Sequence, residues 1–355
     1  MFPKLRFKEF DGDWSAVSLL EISTLITKGT TPKQFIEGNI NFLKIEAINQ
    51  NGFDLSKCQT ISDEINNKEL KRSILMEGDI LFAIAGATIG KNAIVQKELL
   101  PANTNQALAI IRLKENYSKV FISKVLNSPL MEKYIDINIS TGAQPNLNLQ
   151  QIGSFSFALP NLEEQTKIAF FLSAVDEKIR QLKQKHELLS QYKQGMMQKL
   201  FSQQIRFKAD DGSEFEEWAS EKISKVFTNK SKSFNPLLNE SLPCIELEHL
   251  SPNTGQILGT VNSSDQQSTK NLFEPNSVLY GKLRPYLRKF AKPQFKGVCS
   301  SEIWVLTGLK ISNDYLFQFV QSEQFTELTN IQSGSKMPRA DWNVIADAEI
   351  EFPCL

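Results

Sequence analysis

The segment from Pro160 to Leu200 constrains the fold of this chain more than any other, because it repeats apolar or half-apolar residues in a strict four-three alternation. This alternation is the heptad pattern of a coiled-coil seam, in which one face of a helix packs against a partner helix. The seam consists of Ile168, Leu172, Val175, Ile179, Leu182, His186, Leu189, Lys193, Met196 and Leu200. About 38 helical residues at ~1.5 Å each give a rod of roughly 57 Å. The pattern predicts a spacer or dimerisation rod in preference to a helix packed across one globular fold.

The chain restarts after this rod. The sequence LRFKEFDGDW at 5–14 is matched about 200 residues later by IRFKADDGSEFEEW at 205–218. Further matches follow at nearly the same spacing, between 77–82 and 274–280, between 121–126 and 315–320, and between 157–160 and 350–353. A period this long is well above that of solenoid repeats and predicts a duplicated domain. We therefore expect one domain at 1–160 and another at 204–355, joined by a spacer helix at 161–203.

Each copy mixes short strand-like runs with a few helices. Strands are predicted at 42–45, 79–84, 107–113 and 154–159 in the first copy and at 244–247, 277–280 and 302–307 in the second. A helical period covers 117–135 and, in the second copy, 313–330. The predicted class is α+β, with two similar domains, each a twisted β-sheet with a few helices, joined by a long coiled-coil spacer helix.

The composition limits the number of domains, the possible partners and the location of this chain only broadly. With 355 residues and 41% hydrophobic residues, the chain can form two cores and a connector. Its 40 Lys and Arg balance its 40 Asp and Glu, so charge has to be examined locally. Four scattered cysteines and two histidines offer no zinc pattern and are typical of a reducing, cytoplasmic location. We also expect no leader and no membrane partner, because the longest apolar run, 80–90, is far short of a membrane span.

No enzyme signature emerges. The nearest nucleotide-binding signal, GATIGKN at 86–92, has three residues between its glycines instead of four. It also has Asn92 where a phosphate-binding loop has a Ser or Thr for magnesium. A tight strand-to-strand turn that carries one Lys explains this segment better. The sequence predicts no catalytic and no metal-binding residue.

The local distribution of charge is more informative than the balanced total. Between Glu274 and Glu302 the chain has no acidic residue, and basic residues alternate with aromatic ones. This stretch comprises Lys282, Arg284, Arg288, Lys289, Lys292 and Lys296 with Tyr286, Phe290 and Phe295. The pattern is typical of phosphate contact, although a solvated basic loop with inward-facing aromatics explains it equally well. In the first copy, loops at 28–33, 88–91 and 141–146 offer Thr, Gln and Asn, which bind phosphates and base edges but also occur in ordinary turns.

Taken together, these residues resemble the specificity subunit of type I restriction–modification systems over the whole chain. The resemblance is carried by the loop Gly29-Thr30-Thr31-Pro32, the strand entry Gly78-Asp79-Ile80-Leu81, the turn at 86–91, the loop Ser140-Thr141-Gly142 and, most specifically, the helix opening Leu159-Pro160-Asn161-Leu162-Glu163-Glu164-Gln165. The family pattern continues into a second spacer helix after the second domain, whereas this sequence lacks it and ends at Leu355. We therefore expect the seam to pair in an antiparallel homodimer or to be covered by methyltransferase subunits. A truncated product with impaired assembly is the alternative.

The resemblance implies recognition without catalysis. Each target recognition domain would read a short half-site of double-stranded DNA in the major groove. The rod would hold the half-sites more than one DNA turn (~34–36 Å) apart, on a bipartite target with an unread gap. Two methyltransferase subunits would methylate adenine N6, and an endonuclease and translocase subunit would cleave. S-adenosylmethionine, ATP and Mg are expected on those partners, and no cofactor on this chain. A non-catalytic DNA-binding regulator or a coiled-coil scaffold without restriction–modification activity remains the alternative.

The predicted interface residues form three groups, two in the loops of the domains and one on the spacer helix. In the first domain the predicted DNA contacts are Lys28, Thr30, Thr31, Lys33, Thr88, Lys91, Thr141, Gln144 and Asn146. In the second they are Lys230, Lys232, Lys282, Arg284, Tyr286, Arg288, Lys289, Ser335, Lys336 and Arg339. Among these, Arg284 and Arg288 are predicted to read guanine, because the guanidinium fork matches the guanine edge. Partner subunits are expected on the seam residues Ile168, Leu172, Val175, Ile179, Leu182 and Leu189.

Overall fold

The structure is a computed structural model that describes residues 3–49, 52–139, 145–331 and 338–353. The chain divides into two compact units, Met1–Lys183 and Gln184–Leu355.

The first unit combines short strands with helices that gather towards its end. Its strands are β1 (Ser15–Ser18), β2 (Ser23–Lys28), β3 (Ile40–Leu43), β4 (Ile48–Asn49), β5 (Gly52–Phe53), β6 (Gln59–Ile61), β7 (Ile80–Ala83), β8 (Asn92–Ile94), β9 (Ala102–Thr104), β10 (Leu108–Leu113) and β11 (Ser156–Leu159). Its helices are α1 (Leu19–Ile22), α2 (Lys119–Leu126), α3 (Pro129–Asn138), α4 (Leu149–Ser154) and α5 (Leu162–Phe201), the last of which continues into the second unit.

An antiparallel sheet with the strand order β2-β10-β7-β8 forms the centre of this unit, and both of its faces are buried. Along β10, Ala109 and Ile111 pack into one hydrophobic core together with residues of α2 to α4. Leu108 and Ile110 point the other way into a second core. A strand that is covered on both faces is apolar at successive positions, which explains the apolar run at 107–111 in the sequence.

The helical period predicted at 117–135 is divided between two helices, because the chain forms α2 and α3 with a break between them. Asn127 ends α2, Ser128 is the N-cap of α3, and Pro129 occupies its first position. Proline is favoured at a helix start but disrupts a helix interior, so Pro129 begins a new helix. The apolar period continues across the break because both helices bury residues in the same core.

The first turn of α5 is fixed to the first unit by the residues of its opening motif. Asn161 Oδ1 accepts a hydrogen bond from the backbone N of Glu164 at 2.9 Å, which caps the helix. Gln165 accepts from Ser118 N at 3.0 Å and donates to Pro160 O at 2.8 Å. The Glu164 carboxylate, 1% exposed, accepts two bonds from Arg6 at 2.7 and 2.8 Å. The helix then runs for 40 residues, about 60 Å at ~1.5 Å per residue, which confirms the long spacer helix.

The second unit repeats this arrangement after α5. Its strands are β12 (Ala219–Lys222), β13 (Phe227–Thr228), β14 (Ser233–Phe234), β15 (Pro243–Ile245), β16 (Val261–Asn262), β17 (Lys270–Phe273), β18 (Val278–Gly281), β19 (Phe290–Ala291), β20 (Gly297–Cys299), β21 (Ile303–Gly308) and β22 (Glu349–Phe352). Its helices are α6 (Ile223–Val226), α7 (Asn313–Phe319), α8 (Glu323–Asn330) and α9 (Trp342–Asp347). The single helix expected at 313–330 is wrong, because Ser322 caps a separate α8 by accepting a bond from Phe325 N at 3.2 Å.

Strand pairing shows that the two units are copies of one fold. The sheet β13-β21-β18-β19 matches β2-β10-β7-β8, and the pair β12-β22 matches β1-β11. The parallel pair of β15 with β20 matches that of β3 with β9. The second unit has the larger side sheet, β14-β17-β20-β15-β16, where the first has β6-β3-β9. The predicted pair of similar α+β domains joined by a long helix is therefore confirmed.

Candidate nucleic-acid interface

The loops predicted to contact DNA in the first unit meet at one end of the central sheet. Because its strands are antiparallel, the ends of β2 and β7 lie beside the starts of β10 and β8. The register places Lys28 opposite Ala109, Leu108 opposite Ala83, and Phe82 opposite Asn92. We call this end of the sheet, with the loops 28–33, 84–91, 104–107 and 145–147, the first loop end.

The loop after β2 is anchored through its backbone. Gly29 N donates to Leu108 O at 3.2 Å, and Thr30 N donates to Thr104 O at 3.1 Å. A Cβ atom at Gly29 would lie 2.1 Å from Thr104 O, so this close approach requires glycine. The anchoring leaves Lys28 and Lys33 exposed at this end.

Two polar residues that the sequence analysis did not select join this loop. Arg72 Nη2 donates to Thr30 Oγ1 at 3.2 Å, and the Thr31 hydroxyl donates to Gln106 Oε1. Both partners are distant in sequence and lie in segments without a recognisable motif, so only the fold brings them to the site. Arg72 adds a cation to the first loop end, and Gln106 adds an exposed amide.

The turn between β7 and β8 crosses the segment that contains Asn146. Gly86 N donates to Pro145 O at 3.3 Å, and Leu147 N donates to Ile84 O at 2.9 Å. These bonds frame an antiparallel bridge between Ala85 and Asn146, so Asn146 is fixed beside the turn with an exposed side chain.

The remaining predicted residues of the first unit lie on or beyond this turn. Thr88 is exposed and its carbonyl accepts a bond from Lys91 N at 3.1 Å, whereas the Lys91 side chain is half-buried. The tight turn predicted for 86–91 is therefore confirmed. Thr141 and Gln144 lie outside the described residues.

The second unit builds the same framework with other side chains. Arg284 N donates to Pro338 O at 2.8 Å, and Ala340 N donates to Lys282 O at 2.9 Å. A bridge joins Leu283 to Arg339, as Ala85 is joined to Asn146 in the first unit. We call this end, with the loops 282–289, 300–302 and 338–340, the second loop end.

The basic stretch of the second unit divides into exposed and internally bonded residues. Arg284 is exposed and Tyr286 is 54% exposed. Three other cations are less exposed and bond within the protein: Arg288 to Gln321 O, Lys289 to Leu247 O and Lys292 to Asp314. Lys296 is exposed and pairs with Glu274.

The aromatic residues of this stretch also divide. Phe290 is buried, and the Phe295 ring packs against Phe273 with ring centroids 5.8 Å apart. The inward-facing aromatics expected for a solvated basic loop are therefore present beside the exposed Tyr286. Of the two predicted guanine readers, Arg284 projects into solvent and Arg288 is half-buried against the protein.

Arg339 is held by an acidic neighbour at the second loop end. Its Nε and Nη2 atoms lie 3.0 and 3.4 Å from the carboxylate oxygens of Glu302. Lys230 and Lys232 are exposed on the segment that enters β14. Ser335 and Lys336 lie outside the described residues.

The seam of α5 is exposed along most of its length. Ile168 packs against the core of the first unit. The exposed fraction is 37% for Leu172, 40% for Val175, 45% for Ile179, 54% for Leu182 and 55% for Leu189. Lone exposed apolar side chains are ordinary, but a continuous stripe of them marks a surface that binds a partner.

Neither a metal-ligand cluster nor a membrane-spanning helix is present in the described parts of the chain. Among residues 3–49, 52–139, 145–331 and 338–353, no group of three or more His, Cys, Asp or Glu side chains could hold a metal ion. A search of the same ranges finds no helix long and apolar enough to cross a membrane.

Comparison with known proteins identifies related chains. Residues 11–191 match the family model of the type I restriction modification DNA specificity domain. The putative type I restriction enzyme MjaX specificity subunit of Methanocaldococcus jannaschii is 30% identical over 248 residues, which cover 65% of this chain and 57% of that relative. The type I restriction enzyme EcoDI specificity subunit of Escherichia coli is 26% identical over 246 residues, which cover 59% of this chain and 54% of that relative. The matches thus span just over half the length of these curated relatives.

The fold itself also has a solved counterpart. The crystal structure of the type I restriction-modification system S subunit from M. genitalium superposes with a TM-score of 0.58 and 15% identity. The superposition covers 99% of this chain and 88% of that one. At this identity the similarity supports the architecture of two domains and a long helix.

Proposed function

The chain belongs to the family of type I restriction modification DNA specificity domains, and on this premise we propose that it is the non-catalytic, sequence-reading subunit of a restriction–modification complex. In this role it binds double-stranded DNA and directs adenine-N6 methylation and cleavage by partner subunits. S-adenosylmethionine, ATP and Mg belong to those partners.

The observation that carries this proposal is the duplicated loop end. Both units use the same backbone bonds to present a turn and a crossing segment, and both carry exposed polar and basic side chains there. Exposed cations at loop ends suit DNA phosphates, and amide and guanidinium groups suit base edges. Two copies with different side chains support a bipartite target whose half-sites differ in sequence.

The exposed seam of α5 supports a second part of the proposal. Its apolar side chains between Leu172 and Leu189 form a stripe that two methyltransferase subunits would cover. Those subunits would flip the target adenine out of the duplex to reach its N6 atom. This chain would read the major groove of the intact duplex and needs no flipped base. An endonuclease and translocase subunit completes the complex for cleavage.

The test is a long-read map of adenine methylation in DNA from cells that co-express this chain with a type I methyltransferase subunit from the same source. We expect one bipartite, asymmetric motif that is absent from cells with the methyltransferase alone. A symmetric motif made of one half-site twice would instead indicate a dimer that uses one of its domains. A methylation pattern identical to that of the control cells would contradict the proposal.

Light scattering on the purified chain separates the two ways of covering the seam. A dimer at micromolar concentration would assign the seam to a second copy of this chain. A monomer that forms a larger complex only when methyltransferase is added would assign the seam to that subunit.

A further inference from the structure

The two loop ends share one position whose surroundings are equivalent bond for bond. In the first unit, Ile84 and Gly86 bracket the bridge to Asn146. In the second, Lys282 and Arg284 bracket the bridge to Arg339 in the same way. Gly86 and Arg284 even share a left-handed backbone, with φ of 83° and 53°. Asn146 and Arg339 therefore occupy the same place in the two copies.

The side chains at this shared place are the two types that read purines most specifically. An Asn amide can pair with the N6 and N7 edge of adenine, and an Arg guanidinium with the O6 and N7 edge of guanine. Both side chains are exposed at their loop ends. Since peptide groups make the framework bonds, the framework does not depend on which side chain stands at this place.

In the second copy, the Glu302 carboxylate orients the guanidinium of Arg339. Glu302 O accepts a bond from Lys282 N at 2.9 Å, so the main chain of Glu302 belongs to the framework. Its carboxylate contacts Nε and Nη2 of Arg339 at 3.0 and 3.4 Å. A guanidinium has five N–H donors, so Nη1 and the second proton of Nη2 remain for a base edge. In the first copy the equivalent main-chain acceptor is Ala107, at 3.0 Å from Ile84 N, and it carries no carboxylate.

We propose that Asn146 and Arg339 are the equivalent base-reading residues of the two half-sites, with Asn146 selecting adenine and Arg339 selecting guanine. Glu302 acts as a positioning residue that aims the guanidinium of Arg339. This inference rests on the proposed function, because it assigns the residues that set one base in each half of the DNA target.

The experiment exchanges the two side chains in the full chain, co-expressed with its methyltransferase subunit. The Arg339→Asn variant should change one guanine of one half-site to adenine and leave the other half-site unchanged. The Asn146→Arg variant should make the opposite change in the other half-site. On synthetic duplexes that vary one base pair at a time, removal of a bidentate pair of hydrogen bonds should reduce discrimination at that position by about 5- to 150-fold.

Two further variants separate reading from folding. Arg339→Lys keeps the charge but loses the fork, so specificity should relax at the same single position. Glu302→Gln should reduce discrimination at that position while affinity for DNA changes less. As a matched control, Lys222→Asn removes another exposed cation that pairs with an acid, Asp347 at 3.0 Å, and it should leave the motif unchanged.

The outcomes distinguish the proposed function from the assignment of the reading residues. If the wild-type chain specifies no methylated motif, the proposed function itself fails. If the wild-type chain specifies a motif and the folded Arg339→Asn and Asn146→Arg variants keep it in both halves, only the assignment of the reading residues is overturned. A uniform loss of affinity for every duplex, with base preference intact, also overturns it, because it would mean that Arg339 contacts only phosphate.

Discussion

Arg112 donates hydrogen bonds from Nε and Nη2 to the two carboxylate oxygens of Asp79, at 2.7 and 2.8 Å. The Asp79 side chain is 1% exposed and also accepts a bond from Met76 N at 2.8 Å. This pair ties the start of β7 to β10. By strand register, Ser277 and Thr307 occupy the same places in the second unit.

Replacing Arg112 with Ala should destabilise the first unit by about 3 kcal/mol, because a buried carboxylate loses its partner. The double variant Asp79→Ser with Arg112→Thr copies the pair found in the second unit and removes the charge altogether. We therefore expect it to lose less stability than Arg112→Ala alone. Urea unfolding of the full chain measures both, and a double variant less stable than Arg112→Ala would contradict this account.

Replacing Gly29 with Ala should cost about 1–3 kcal/mol, because the new methyl group has to displace the backbone around Thr104. The shift also moves the loop that carries Thr30 and Thr31, so DNA affinity should fall. Gly195→Ala is the matched control. Gly195 lies inside α5, and apart from its chain neighbours and the nearby backbone of the helix no atom lies within 4 Å of an added Cβ, so alanine there should stabilise by about 0.5–1 kcal/mol. Equal effects of the two changes in thermal unfolding would be inconsistent with the close approach at Gly29.

Removing the exposed cations of the first loop end should weaken DNA binding in a salt-dependent way. For the Lys28→Ala and Lys33→Ala variants, the slope of log affinity against log salt should decrease by about one for each phosphate that the variant no longer neutralises. Lys114→Ala provides the control, since Lys114 follows β10 at the other end of the sheet and its Nζ donates to Glu21 O at 2.6 Å. Fluorescence anisotropy at several salt concentrations measures the slopes, and an equal change for Lys114→Ala would argue against this surface.

Charged residues on the seam should prevent partner binding without unfolding the chain. Leu182 and Leu189 are more than half exposed, and glutamate is a good helix former. The double Leu182→Glu and Leu189→Glu variant should keep its circular dichroism spectrum but no longer co-purify with methyltransferase. Lys185→Glu, also on α5 but off the seam, should retain the partner. Retention of the partner by the seam variant would place the contact elsewhere.

One ion pair on α5 predicts a pH dependence. Hydrogen bonds from Arg180, at 2.7 and 2.6 Å, and from Gln181 lower the pKa of the Glu177 carboxyl to about 2. Because the pKa is lower than in the unfolded chain, this contact stabilises the helix above about pH 4.5, and the contribution disappears as the pH falls towards 2. Carboxyl NMR titration should show Glu177 ionised at pH 3, and Arg180→Ala should return its pKa towards the usual value. An unchanged titration in Arg180→Ala would exclude the pair as the cause.

The features that sequence predicts correctly are those whose signal lies within a short stretch of the chain. The heptad seam, the turn at 86–91 and the matched segments of the two copies each lie in a short stretch, so α5 and the duplication were readable. The apolar period does not reveal the breaks before Pro129 and at Ser322, because it continues across both. A proline with a preceding serine is itself a helix-start signal and outweighs the period at Pro129.

The contacts at the loop ends could not be predicted, because they join residues that are far apart in the chain. Arg72 bonds to Thr30 across 42 positions, and Thr31 to Gln106 across 75. Likewise, the basic stretch at 282–296 gave no sign of which cations would bond to the protein. Arg288 and Lys289 find backbone carbonyls that only the folded chain brings near.

At each loop end, main-chain hydrogen bonds join a turn to the segment that crosses it. This arrangement has an evolutionary consequence. When bonds between main-chain atoms hold a position, replacing its side chain leaves those framework bonds in place. Asn146 and Arg339 stand at equivalent places of the two frameworks with different side chains. If these residues read bases as proposed, a single codon change in one half of the gene would alter one half-site and leave the other half-site unchanged.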